Sequence, residues 1–377
     1  MKGYLICDQL DCTGCSTCMN ICPQSCISMQ PNKYGHIYPV VNETKCIDCN
    51  LCVKICPQNK DTIKRQPITA FAGWHNDQSE YLSSTSGGAA AAFAHTIISM
   101  GGVVYGCASD HGLLIHHVRV DTESELTRLK GSKYVQSDIG YTYKNILTDL
   151  KCGKAVLFIG TPCQVAGLKS FLRKDYESLY CVDLICHGVP SQTQLKKHIK
   201  RVVGSDADIV QFRKGNDMGL RIYSRSGDMS YYSNVWVNKF QDSYYGAFID
   251  GYSYRESCYR CRYADSKRAS DITIGDFWGL SKEVNHDEIN GCSCILPITP
   301  KGLELAKKSN LKLIKRSVDE AISGNTQLRN PSSKSQRAKV FRFLHPIIGH
   351  EVAYKICEFD RIINYRLIKP ILRRIQI

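Results

Sequence analysis

The sequence predicts an α+β protein: a small cysteine-rich N-terminal unit followed by a longer mixed α/β body. Two observations carry this. Ten of the 20 cysteines lie within residues 1–60. From Ile68 onward, short apolar runs rich in β-branched residues alternate with helical patterns, as strands and helices do when they share one sheet. Length and composition agree with both. A chain of 377 residues that is 43% hydrophobic can bury a substantial core and divide into two or three domains. Disordered, collagen-like and low-complexity classes are excluded.

Taken in order, residues 1–62 form the first unit, and TIKRQP (62–67) reads as a linker. Strands are expected at 68–74, 101–107, 113–120, 154–160, 178–186, 207–213, 271–276 and 294–299. Helices are expected near 88–99, 138–151, 163–174, 191–203 and 301–309. Polar, turn-rich sequence from about 214 to 234 marks a hairpin insertion. The body divides into regions 68–150 and 151–330. Residues 331–377 form a basic tail, with ten Lys/Arg against three Asp/Glu, half of the chain's net charge of +14. In this tail Val352, Ile356, Phe359, Ile363 and Leu367 recur every three or four residues, which predicts an amphipathic helix before Pro370. The stretch Tyr81–Ser109 lacks Lys, Arg, Asp and Glu and is long enough to span a bilayer. Its serines and glycines, with Gly101-Gly102 inside it, point instead to a helix followed by a buried strand.

The cysteines narrow the chemistry. The opening MKGYLICDQLDCTGC has no apolar run of signal-peptide length, so a reducing cytoplasm is the expected compartment. There, clustered cysteines read as metal ligands rather than bridges. Cys12, Cys15, Cys18 and Cys22 recur 34 residues later as Cys46, Cys49, Cys52 and Cys56, and each copy runs on into Pro-Gln. C-x2-C-x2-C-x3-C-P, twice, suits two cubane 4Fe-4S clusters. Three cysteines wrap a loop around each cage and the fourth ligand comes from the other motif. This assigns Cys12, Cys15, Cys18 and Cys56 to one cluster, and Cys46, Cys49, Cys52 and Cys22 to the other. A zinc ribbon pairs two C-x2-C hooks and has no use for this pattern. Residues 8–60 thereby resemble bacterial two-cluster ferredoxins. The gap between Cys22 and Cys46 fits a small hairpin, and Cys26 lies outside the motif as a packing residue.

Ten cysteines remain in the body. Cys258 and Cys261 form a C-x2-C hook, which zinc, a redox dithiol or chance would each explain. Cys163 and Cys186 each follow an apolar strand run, and ends of adjacent parallel strands converge on one crevice. Four cysteines meeting there would hold a third 4Fe-4S cluster. Cys292 and Cys294 alternate along a strand and have a packing explanation. No G-x-G-x-x-G and no P-loop occurs. Ser86-Gly87-Gly88 instead opens a helix, where free amides without a Cβ in the way suit a diphosphate. GSKYVQS (131–137) adds Lys133, hydroxyls and an amide. His187 follows Cys186 and is the candidate catalytic residue, as donor to a cluster sulfide or to substrate; a structural role is the alternative. Asp276 reads as support for the site or as a cap. His116 and His117 point to opposite faces of a strand and form no site.

SSTSGGAAAAF (83–93), GSKYVQS (131–137), GTPCQVAGL (160–168), DLICHGVPS (183–191), CYRCRYADSKRASDITIGDFWG (258–279) and GCSCILPITPKG (291–302) together resemble the family of the coenzyme F420 hydrogenase/dehydrogenase beta subunits. The likeness spans most of residues 68–302, behind the ferredoxin-type module. It implies an oxidoreductase with FAD and at least one 4Fe-4S cluster in the body. It implies cluster ligands at Cys163, Cys186, Cys258 and Cys261. It also implies flavin contacts from Ser86, Gly87, Gly88, Gly131, Ser132, Lys133, Tyr134, Gln136, Thr161 and Gln164. The fold expected is thus a two-cluster ferredoxin domain followed by a mixed α/β flavin- and cluster-binding body.

The function expected is an electron relay from the ferredoxin-type clusters through a body cluster to FAD and an organic acceptor, with surface polysaccharide metabolism one setting found in the family. The alternative is a non-catalytic, deazaflavin-linked electron-transfer subunit of a larger hydrogenase or dehydrogenase. A radical enzyme is excluded, since C-x3-C-x2-C is missing. Expected partners are a small-molecule acceptor or donor and a redox protein. No nucleic-acid-reading motif accompanies the positive charge, so nucleic acid is not expected. The basic tail suits peripheral contact with an anionic membrane surface. Three clusters and a flavin diphosphate would take residues 1–330 from +7 to about −1, leaving the positive charge in the tail.

Overall fold

A computed structural model describes residues 5–281, 284 and 290–365. The N-terminal unit is helix Thr17–Ile21, an antiparallel hairpin of β1 (Ile27–Pro31) and β2 (Ile37–Val41), and helix Leu51–Ile55. The hairpin occupies the gap between the cysteine motifs. Helices of five residues do not persist alone, because nucleation costs more than so few bonds return. Here the two pack against each other. The 34-residue repeat survives in the backbone: Gly14 and Asp48 have φ of 66° and 51°, and Ser16 and Asn50 have 63° and 57°. These left-handed steps curl each motif inward before its helix starts.

The body adds β3 (Ala70–His75), β4 (Val103–Asp110), β5 (Leu114–Val120), β6 (Val156–Gly160), β7 (Leu179–Leu184), β8 (Ala207–Gln211), β9 (Gly219–Ser224), β10 (Met229–Asn234), β11 (Ile272–Asp276), β12 (Ser293–Pro297) and β13 (Leu311–Arg316). Eight of these form one sheet in the order β13-β3-β12-β11-β7-β6-β4-β5. Its centre, β4-β6-β7-β11, is parallel, and the outer strands join antiparallel. Central parallel strands must be covered on both faces, and the two-residue period of the strand divides their side chains accordingly. Val104, Leu157 and Val182 meet Phe93 and Ile97 of helix Ala89–Ser99 and Leu305 of helix Pro300–Lys308. Val103, Tyr105, Val156, Phe158 and Cys181 meet helices Thr142–Lys151 and Pro162–Leu172 on the other face. Strands β8, β9 and β10 form a separate antiparallel meander, so the expected hairpin insertion is its second half.

Two expectations change, those for the linker and the tail, and the one for the charge-free stretch holds. The TIKRQP segment is fastened rather than free: Arg65 and Arg268 exchange both backbone hydrogen bonds, and Lys64 Nζ lies 3.0 Å from Asp265. The charge-free stretch resolves into helix Ala89–Ser99 and β4, and no described helix is long and apolar enough to cross a membrane. The tail is not one helix, because Gly349 separates Gln336–Ile348 from His350–Cys357, and Phe359–Ile363 follows. Ala338, Phe341, Ala353, Tyr354 and Cys357 pack on Ala247 and Tyr252. Val352, Ile356 and Phe359, the residues that carried the periodicity, face outward. Leu367 and Pro370 lie outside the described residues.

Candidate metal centres

All twenty cysteines are free thiols. Cys12, Cys15, Cys18 and Cys56 line one cavity of the N-terminal unit; Cys22, Cys46, Cys49 and Cys52 line a second. The two short helices produce this crossing. Helix Thr17–Ile21 contains Cys18 and ends at Cys22, and helix Leu51–Ile55 contains Cys52 and ends at Cys56. Four residues along a helix is about one turn, so each helix serves both cavities. Among the described residues, no group of three or more His, Cys, Asp or Glu is arranged to hold a single metal ion. A cubane stands its four ligands around a cage of four irons. Four thiols per cavity suit the cage.

The body cysteines come from separate elements. Cys163 sits in the first turn of helix Pro162–Leu172, just past β6, and Cys186 just past β7, its parallel neighbour. Cys258 lies in, and Cys261 ends, the short 3-10 helix Glu256–Arg260. Burial raises all four thiols, and Cys163, Cys186 and Cys258 are raised further by one another and by Cys261. Cys186 reaches about 12. The four therefore share one region at the C-terminal ends of the parallel strands. Cys292 and Cys294 are elsewhere, both buried, the first just before β12 and the second within it.

The first cavity and the body set adjoin. A Cβ on Gly167, in helix Pro162–Leu172, would lie 3.0 Å from Cys15 Cβ and 2.7 Å from Thr17 Oγ1, so only glycine admits this approach. Tyr143 and Tyr263, both buried, stand within electrostatic reach of Cys15 and Cys163 alike.

Arg255 carries no signal in the sequence, yet it stands at the first cavity. Its side chain is 0% exposed. Nε donates to Cys12 O at 2.6 Å, Nη1 to Gln136 Oε1 at 3.1 Å and Nη2 to Ile37 O at 2.8 Å. Nη2 also lies 3.6 Å from Cys12 Sγ, and the guanidinium stacks 4.2 Å from the Tyr38 ring centre. A Cβ on Gly14 would come within 2.8 Å of this guanidinium. Hydrogen bonding from Cys7, with help from Arg255, holds the Cys12 thiol down at about 6 despite burial.

The residues expected at a flavin fall into two groups. Ser86, Gly87 and Gly88 precede helix Ala89–Ser99, and Thr85 Oγ1 lies 3.4 Å from Ser132 Oγ, so this turn meets Gly131–Ser132. Ser86 Oγ is buried without a hydrogen-bond partner among the described residues, and the Gly87 amide donates to Ser293 Oγ at 3.0 Å. Lys133 turns away: Nζ donates to Leu129 O and Lys130 O. Tyr134 stacks on Phe248. The second group faces the cysteine sets. Gln136 Nε2 donates to Thr13 O, and Thr161 and Gln164 form the capping box of the helix that carries Cys163. His187 is exposed yet surrounded by protein, which lowers its basicity against the pull of Asp276. Asp276 pairs with Arg213 Nη1 at 2.7 Å rather than capping a turn. His117 is stacked on Phe158 and buried, and His116 pairs with Asp110, so the two are divided as expected.

Comparison with known proteins agrees with this layout. Residues 11–60 match the model of the 4Fe-4S dicluster domain, and residues 153–319 match that of the C terminus of the coenzyme F420 hydrogenase/dehydrogenase beta subunit. No curated protein matches. Among solved structures, a chain of the F420-reducing [NiFe] hydrogenase complex from Methanosarcina barkeri aligns at 16% identity and a TM-score of 0.44, over 74% of this chain and 94% of its own. Residues 153–319 are thus similar to the C-terminal region of the coenzyme F420 hydrogenase/dehydrogenase beta subunits, behind a 4Fe-4S dicluster domain over residues 11–60.

Proposed function

We propose that the protein is an iron-sulfur electron-transfer subunit, linking a redox protein partner to a reaction site in its body. The observation that carries this is the continuity of three thiol sets. Each of the two short helices gives one cysteine to each N-terminal set, Cys18 and Cys22 from the first and Cys52 and Cys56 from the second, and Cys15 abuts the helix that carries Cys163. In this reading the first two sets each hold a 4Fe-4S cluster, and Cys163, Cys186, Cys258 and Cys261 hold a third. Bound clusters supply reversible one-electron storage. The chain's own residues hold the thiols in reach of one another, and Tyr143, Tyr263 and helix Pro162–Leu172 keep water out of the interval. Cys49 is exposed, which suits the second cavity as the face presented to a protein partner.

A flavin in the body, acting on a small organic acceptor or donor, is the second reading. It is favoured by the buried, unpartnered Ser86 hydroxyl beside the amide end of helix Ala89–Ser99. Ser86, Gly88, Gly131 and Ser132 would then contact the diphosphate, and His187 would face the acceptor. The tail's outward apolar side chains suit peripheral contact with an anionic membrane.

Anaerobic purification with iron, sulfide and flavin analysis tests these readings together. Three clusters require about 12 irons per chain, falling to about 8 in Cys258→Ser/Cys261→Ser. About 8 irons in the parent, unchanged by that substitution, would sink the third set. A parent with full iron and no flavin would remove the flavin and leave the electron-transfer reading standing.

A further inference from the structure

The ten cysteines of residues 1–60 exceed what two clusters need. The two surplus thiols do not scatter: Cys7 lines the first cavity and Cys26 lines the second, so each cavity holds five. Cys26 Sγ lies 3.3 Å from Cys22 Sγ, and Cys26 also neighbours Cys46. Cys7 lines the first cavity together with Cys12 and Cys56 and interacts electrostatically with both. In both cavities the surplus thiol stands beside the ligand borrowed from the other motif, Cys22 in one and Cys56 in the other.

Both thiols do pack against the apolar core of this unit, as expected of Cys26, but packing alone does not account for the pairing. A buried cysteine that only fills space has no need to aim its sulfur at another thiol. The repeat does not account for it either. A shift of 34 residues carries Cys7 onto Val41 and Cys26 onto Lys60, so the two thiols reached equivalent stations from unrelated sequence positions.

We propose that Cys26 and Cys7 are stand-in ligands, each able to take over the iron-binding role of the cross-supplied cysteine beside it. The step is a ligand substitution. A sulfur–iron bond forms at Cys26 as the bond at Cys22 breaks, and the Cys26 proton passes to the departing Cys22 sulfur. No electron changes hands. At the first cavity, Cys7 replaces Cys56 in the same way. The proposal rests on the two-cluster reading of residues 11–60.

The test uses the full chain, purified anaerobically, as parent, Cys22→Ala, Cys26→Ala and Cys22→Ala/Cys26→Ala. Iron per chain and the electron paramagnetic resonance spectrum of the reduced protein are read. Parent, Cys26→Ala and Cys22→Ala should carry equal iron, with an altered spectrum in Cys22→Ala alone. The double variant should lose about four irons. Loss of those irons in Cys22→Ala alone, or failure of that variant to fold, overturns the proposal. Cys56→Ala against Cys56→Ala/Cys7→Ala repeats the comparison at the first cavity. A parent without iron would instead overturn the cluster reading itself, a separate result.

Discussion

Arg255 is a full charge taken out of water, and such burial costs several kcal/mol unless every donor is engaged. Here Cys12 O, Ile37 O, Gln136 and the Tyr38 ring engage it. Its charge then acts on the first centre at short range, favouring whichever oxidation state carries more electrons. Arg255→Met is expected to lower that centre's midpoint potential by about 60 mV or more, a tenfold change in the one-electron equilibrium. It is also expected to cost about 3–5 kcal/mol of stability, since it leaves buried acceptors unpaired. A redox titration followed by electron paramagnetic resonance reads the first effect, and anaerobic denaturation the second. Arg255→Lys should restore the potential more than the stability, because the fork is lost while the charge stays. An unchanged potential in Arg255→Met would show that the charge is compensated elsewhere. The eight motif cysteines were legible because their partners lie three or four residues away or at one fixed repeat. Arg255 was not, because its contact with Cys12 spans 243 residues and no local spacing marks it.

At the scale of elements, the same separation holds. The parallel strands were legible as apolar runs because they are covered on both faces. Strand β13 was not, because LKLIKR alternates apolar and basic residues at the edge of the sheet. The turn Ser86–Gly88 was legible as glycine-rich, but the reason for Gly87 was not. A Cβ there would stand 2.0 Å from Gly73 O of β3 and 2.7 Å from Ser293 N of β12. Gly87→Ala is therefore expected to destabilise the protein by about 3 kcal/mol through backbone displacement. Gly131→Ala, at φ +83° but facing open space, should cost about 1 kcal/mol. Chemical denaturation of the two variants separates the cases, and equal costs would mean that the Gly87 turn moves aside freely.

At the scale of the whole molecule, the tail closes the body on one side and leaves an apolar surface on the other. Phe343 is 70% exposed, Ile347 69% and Phe359 65%, values far above those of side chains that serve a core. Val340, Phe343 and Ile347 make one stripe along helix Gln336–Ile348, opposite buried Ala338 and Phe341; Val352 and Ile356 make another along helix His350–Cys357. With the tail's net positive charge, the protein should float with vesicles containing anionic lipid at low salt and release at high salt. Phe343→Glu/Ile347→Glu should reduce the bound fraction about tenfold. Equal flotation with neutral vesicles, or none at all, would remove the membrane contact.

The N-terminal unit is joined to the body by more than its chain. Asn20 Nδ2 reaches Gly140 O at 2.8 Å, Gln136 Nε2 reaches Thr13 O at 3.0 Å, and Ser170 Oγ donates to Ile55 O. Carriers that work by swinging on a tether are paced by diffusion, and solvent viscosity or tether length slows them. A module bolted to its acceptor is indifferent to both. On the electron-transfer reading proposed above, its internal spacing is set once, when the protein folds, and throughput would be regulated only at the two ends, where a partner would dock and where an acceptor would bind.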